Sequence, residues 1–163
     1  MRTAFVVDVN VVIVANGRAD HADHACVLSC LDALEEIKRE GVIVLDNGLC
    51  ILNEYKNHLS LAGQSGVGDA FMKWVWEHQA VADRCERVVL TPIGNAADEF
   101  AEFPDVPELR DFDRTDRKYV AVALASQRNP VVLNAVDRDW WNHRDALEHN
   151  GVICQFLCLQ HMS

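Results

Sequence analysis

Two short apolar runs each end in a carboxylate: Ala4-Phe5-Val6-Val7-Asp8 near the start of the chain, and Val131-Val132-Leu133-Asn134-Ala135-Val136-Asp137 near its end. Runs this short, rich in β-branched residues and bounded by polar ones, read as buried strands of a parallel sheet. Open parallel sheets bind ligands beyond the carboxyl ends of their strands, where both aspartates fall. A carboxylate there is poorly solvated and costly unless a cation meets it. The pair therefore points to an acidic, metal-binding site.

Helical phase adds a third acid. Counting from Asp116, the apolar stripe Tyr119, Val120, Ala123 and Leu124 places the aspartate on the face that packs against the sheet. Asp113, one turn earlier on that face, fits either an auxiliary acid or an ordinary acidic first turn favoured by the helix dipole. Glu54 stands at the border of a stripe formed by Leu52, Tyr55 and Leu59, a position that suits a solvated residue as well as a fourth acid.

If these groups converge, two unit charges about 4 Å apart repel by roughly 4 kcal/mol at an effective dielectric of 20. Several such pairs would consume much of a domain's net stability of about 5–15 kcal/mol. The cluster must protonate in part or hold a hard divalent cation. Oxygen donors without a His or Cys partner point to Mg²⁺ or Mn²⁺ rather than zinc. Such an ion activates water and neutralises a phosphodiester during in-line displacement, and no Ser, Cys or His arrangement offers a nucleophile instead. Arg110, Arg114, Arg117, Lys118 and Arg138 lie close to the acids in sequence, as solvated helix-face charges or as phosphate contacts.

The elements that would position these groups alternate. Strands are expected at 4–7, 42–45, 87–90, 131–136 and 152–157. A short helical turn falls at 11–15, and longer helices at 26–40, 48–59, 69–80 (capped by Asp69), from Asp113 or Thr115 to 128, and 141–149. That order gives a three-layer α/β/α sandwich with a mainly parallel central sheet, as one domain over residues 1–163. Half the residues are hydrophobic and a quarter charged, ordinary for a globular chain. The net charge of −10 argues against tight binding of nucleic acid by a broad basic face. It leaves open an enzyme whose substrate meets a few local cations and a metal. No apolar stretch approaches the roughly 20 residues of a bilayer span, and the start lacks a small-residue cleavage site, so the expected location is the cytoplasm.

Cys26, Cys30, Cys50, Cys85, Cys154 and Cys158 contain no Cys-x-x-Cys pair and are expected as buried reduced thiols. The stretch Asp20-His21-Ala22-Asp23-His24 resembles a metal cluster, but it directly precedes a helical pattern and is expected to act as an N-capping start.

Asp8-Val9-Asn10-Val11, the interior Glu54, Asp116 opening an Asp-x-x-Tyr-Val-Ala-Val-Ala helix, and Val136-Asp137-Arg138-Asp139-Trp140 together resemble the PIN-domain family, in order and spacing across nearly the whole chain. The resemblance implies a Rossmann-like sandwich and a metal-dependent endoribonuclease. Many members are toxins of toxin–antitoxin pairs, and many form homodimers. It further implies Asp8, Glu54, Asp116 and Asp137 as catalytic metal ligands, Asn10 as a supporting hydrogen-bonding residue, and Asp113 and Asp139 as auxiliary acids. RNA would be the substrate and an antitoxin protein a partner, with no membrane involved. The chain departs from the pattern at Val9, where Thr or Ser is common, and at Ala135, which replaces a hydroxyl residue.

Two rivals remain. One is a haloacid-dehalogenase-like phosphatase, which also places an Asp after strand one but wants a second carboxylate where Asn10 stands; a phosphorylated receiver module fails in a similar way. The other is a catalytically weak PIN-like binding or scaffold module.

Overall fold

A computed structural model of the protein describes residues 2–19 and 22–162. Five strands form its sheet: β1 (Ala4–Val7), β2 (Val42–Asp46), β3 (Cys85–Val88), β4 (Val131–Asn134) and β5 (Ile153–Phe156). Their order is β3-β2-β1-β4-β5, and every neighbouring pair is parallel. β1 is central, with Phe5 in register with Ile43 on one side and Val131 on the other. The chain winds outward through β2 and β3, then returns to β4 and β5. The crevice between β1 and β4 is thus the topological switch point.

Seven helices are found among the described residues: α1 (Val9–Ala15), α2 (His24–Glu40), α3 (Cys50–His58), α4 (Val67–His78), α5 (Arg117–Ala125), α6 (Arg138–Asn142) and α7 (Arg144–His149). α1, α2 and α4 pack on one another, while α5 lies across β1, β2 and β4 beside α3. The result is the expected three-layer α/β/α sandwich, with a sheet that is parallel throughout. β1, β2 and β4 are buried almost without interruption, as strands covered by helices on both faces must be. No helix among the described residues is long and apolar enough to cross a membrane.

Local chemistry moved several expected boundaries. α1 starts at Val9 because Asp8 itself is its N-cap, accepting a hydrogen bond from Asn10 N. Asp69 is not the cap of α4 but its third residue: it accepts from Gly66 N at 3.1 Å and Ser60 N at 2.7 Å, and the helix begins at Val67. β3 lies two residues earlier than the expected 87–90, since Cys85–Val88 pair with Ile43–Asp46 and Val89 is left 68% exposed. The last helix is two, parted at His143 and begun by Asp137 as N-cap.

Four of the cysteines (Cys30, Cys50, Cys85 and Cys154) are free, but Cys26 and Cys158 form a disulfide across 132 residues. The expectation of six reduced thiols fails there because the fold returns the segment after β5 to the first turn of α2, which sequence spacing cannot reveal. Asp20 and His21 lie outside the described residues. Asp23, from the same stretch, caps α2 by accepting from Cys26 N at 2.8 Å.

Candidate functional site

Asp8 follows β1, Asp137 follows β4, and Asp116 ends the 3₁₀ turn Arg114–Asp116 that leads into α5. The two strand-end acids flank the switch point, and α5 brings the third across it. One carboxylate oxygen from each of Asp8, Asp116 and Asp137 lies within 4.8 Å of the others. The helical phase expected for Asp116 holds: Tyr119, Val120 and Ala123 are buried, and Asp116 is itself only 8% exposed.

Each acid is fixed by its own backbone surroundings. Asp8 Oδ1 accepts from Asn10 N at 3.0 Å, whereas Oδ2 is buried and has no hydrogen-bond partner. Asp137 Oδ1 accepts from Asp139 N at 2.9 Å, and Asp137 N donates to Asn134 Oδ1 at 3.1 Å. Asn10 Oδ1 accepts from Ala135 N at 2.8 Å, bridging the crevice.

Burial raises the Asp8 carboxyl to about 7; Asp137 and Glu54 push it the same way, while Asn10 N and the Lys118 ammonium oppose. Burial is also the first cause of the rise of Asp116 to about 9, with the charges of Asp8 and Asp137 adding to it. Proximity to like charge and loss of water act together, and both disfavour the ionised form.

Glu54 stands beside this trio rather than in it. Its Oε1 accepts from the Tyr119 hydroxyl and lies 3.4 Å from Lys118 Nζ. Lys118 is buried and also donates to Thr115 O, and Tyr119 OH accepts from Val9 N at 3.3 Å. The side chain that sequence offered as either a solvated charge or a phosphate contact is therefore an internal counter-ion to Glu54. Arg117 is similarly committed, donating to Phe112 O and Arg110 O and lying over the Phe103 ring. Arg114 pairs with Glu99 at 3.6 Å, while Arg110 and Arg138 are exposed.

The auxiliary acids act as struts. Asp139 Oδ2 accepts from Asp113 N at 2.8 Å, its Oδ1 lies 3.2 Å from His143 Nδ1, and Asp113 Oδ1 accepts from both Thr115 N and Thr115 Oγ1. These bonds hold the turn before α5 against α6, and so position Asp116.

Sequence reasoning gave no role to Asp46, Asn134 or Tyr119. Asp46 is the last residue of β2, Asp8 the first after β1, and the two are equally buried. Both of its oxygens are used, accepting from Cys50 N at 2.8 Å and Ile51 N at 3.0 Å at the start of α3, where Leu49 offers no side-chain cap. Asp8 keeps one oxygen in reserve and Asp46 keeps none. That difference separates a candidate ligand from a helix cap, and it is invisible in the strand-end pattern.

The donor set suits a hard divalent ion: three carboxylates, no nitrogen or sulfur among them, and a buried oxygen lacking any other partner. No family model, curated protein or solved structure matches the chain.

Proposed function

We propose that the protein is a divalent-metal-dependent endoribonuclease in which Asp8, Asp116 and Asp137 hold Mg²⁺ or Mn²⁺. The observation that carries this reading is the unpartnered, buried Oδ2 of Asp8, set within 4.8 Å of two further carboxylates. Burying three acids together without a cation costs ionisation at two of them. A doubly charged ion removes that cost. When bound, the ion supplies activated water and neutralises phosphodiester charge during in-line displacement.

The chain's own groups keep the pocket in shape. Asn10 sets Asp8 against the segment carrying Asp137, and Asp139 and Asp113 hold the turn that presents Asp116. Glu54 adds negative charge at the edge of the trio, balanced by Lys118 and steadied by Tyr119. Arg138, exposed and next in the chain to Asp137, is the cation assigned here to meet substrate phosphate.

RNA as substrate comes from the resemblance to PIN domains. So do the narrower proposals of a toxin with an antitoxin partner, a homodimer and a cytoplasmic location. A phosphatase of the haloacid-dehalogenase kind is disfavoured because the residue two after the first acid, Asn10, is an amide whose oxygen is already bonded to Ala135 N. The test is incubation of purified protein with single-stranded and structured RNA, with and without Mn²⁺, beside an Asp8→Asn/Asp137→Asn variant. Cleavage that needs the ion and disappears in the variant supports the proposal. RNA binding without cleavage in any condition favours the scaffold reading.

A further inference from the structure

Three sulfurs converge where a disulfide needs two. Cys26 and Cys30 are one turn apart on α2, and Cys158 arrives from the segment after β5. Their Sγ atoms lie within 4.8 Å of one another, and all three residues are fully buried. The disulfide leaves Cys30 as a free thiol within reach of both bonded sulfurs. A tetrahedral zinc ion with Zn–S bonds of about 2.3 Å sets its thiolates roughly 3.8 Å apart, a spacing this cluster accommodates once the bond is opened.

A histidine meets the cap of the same helix. His161 follows Cys158 by three residues, and its Nε2 is buried without a hydrogen bond, 3.4 Å from Asp23 Oδ2. Asp23 is the N-cap of α2 and accepts from Cys26 N, so the imidazole sits at the helix turn that carries the first cysteine. Cysteines one turn apart on a helix, joined by a cysteine from a distant segment, form a set of three sulfur donors of the kind zinc takes.

We propose that the reduced chain binds a zinc ion through the three thiolates of Cys26, Cys30 and Cys158, and that this state and the disulfide are alternatives of one cluster. A dithiol reductant passes two electrons and two protons to the Cys26–Cys158 bond and itself becomes a disulfide. Zn²⁺ then displaces the three thiol protons. An oxidising disulfide reverses the sequence: it takes two electrons from the Cys26 and Cys158 thiolates and two protons from water to become a dithiol, Cys30 regains a proton from water, and the ion is freed. Both states fasten α2 to the end of the chain. The ion here is borderline-soft and sulfur-bound, so the cluster is chemically separate from the all-oxygen pocket.

The experiment uses the full chain, reduced with dithiothreitol and desalted without oxygen, then titrated with Co²⁺ and afterwards with Zn²⁺. One equivalent of Co²⁺ should produce thiolate-to-cobalt charge-transfer absorption, which Zn²⁺ bleaches. The Cys30→Ser variant should lose that absorption yet still form the Cys26–Cys158 disulfide on oxidation, seen by peptide mapping, which also reports that it folds. The Asp8→Asn/Asp137→Asn variant should keep the absorption, so this proposal and the nuclease reading fail separately. No charge-transfer band in the reduced wild type, or an undiminished band in Cys30→Ser, would overturn it.

Discussion

Asn10 Oδ1 accepts a hydrogen bond from Ala135 N at 2.8 Å, and so ties the first turn of α1 to the loop after β4. Asp8 lies two residues before one end of this bond, and Asp137 two residues after the other. The separation of the two acids is thereby set by neutral groups, independently of any ion. The methyl group of Ala135 offers no hydrogen bond, but its backbone does.

Removing that acceptor strands a backbone N–H in a buried turn. Asn10→Ala is expected to lose about 1–3 kcal/mol in urea denaturation and to bind Mn²⁺ about 10–100-fold more weakly in calorimetry. Wild-type values in both measurements would show that the bridge positions nothing.

The acidic trio makes the metal-free protein sensitive to alkali. Asp8 and Asp116 stand at about 7 and about 9, raised first by burial, whereas in the unfolded chain they ionise near 4, a value of about 3.9 being ordinary. Between these limits the folded state holds more protons than the unfolded one, so stability falls as pH rises and recovers toward pH 4. In chelator at pH 8, Asp116→Asn should melt several degrees above wild type, with ~2 kcal/mol of repulsion relieved. The gap should close at pH 4. A lower melting point at pH 8 would make Asp116 a structural residue.

Lys118 and Glu54 form a largely buried ion pair, with side chains 6% and 24% exposed. Lys118→Met leaves Glu54 without its counter-charge and should cost about 2 kcal/mol in denaturant titration. Lys118→Met with Glu54→Gln should recover part of the loss. An equal loss in the double variant would mean that the stem of Lys118, not its charge, carries the effect.

The basic residues separate into two groups. Arg138→Ala should weaken RNA binding and lower the salt slope by about 1. Arg117→Ala, which removes hydrogen bonds to Phe112 O and Arg110 O, should lower the melting temperature and leave that slope unchanged. Fluorescence anisotropy across a salt series distinguishes them, and an altered slope for Arg117→Ala would place it on the substrate path.

The strands nearest the site were legible because burial on both faces leaves uninterrupted apolar runs. Asp116 was legible because a helix facing a sheet fixes the phase of its neighbours. β3 was displaced by Val88-Val89-Leu90, an apolar run of which Val89 turns out to solvent. Hydrogen bonds between distant residues were beyond reach: Glu54 meets a lysine and a tyrosine more than 60 positions away, and Asp46, identical to Asp8 in pattern, spends both oxygens on α3. A strand-end aspartate identifies a place in the fold, and its hydrogen bonds decide what it does there.

The most direct measurement is the anomalous scattering of Mn²⁺ in crystals grown at neutral pH or above. Carboxylate oxygens of Asp8, Asp116 and Asp137 should each lie about 2.0–2.6 Å from a single strong peak, and the peak should vanish in Asp8→Asn/Asp137→Asn. A peak elsewhere in the wild type, or none with Asp8 Oδ2 still facing its neighbours unpartnered, would contradict a divalent ion held by these three acids.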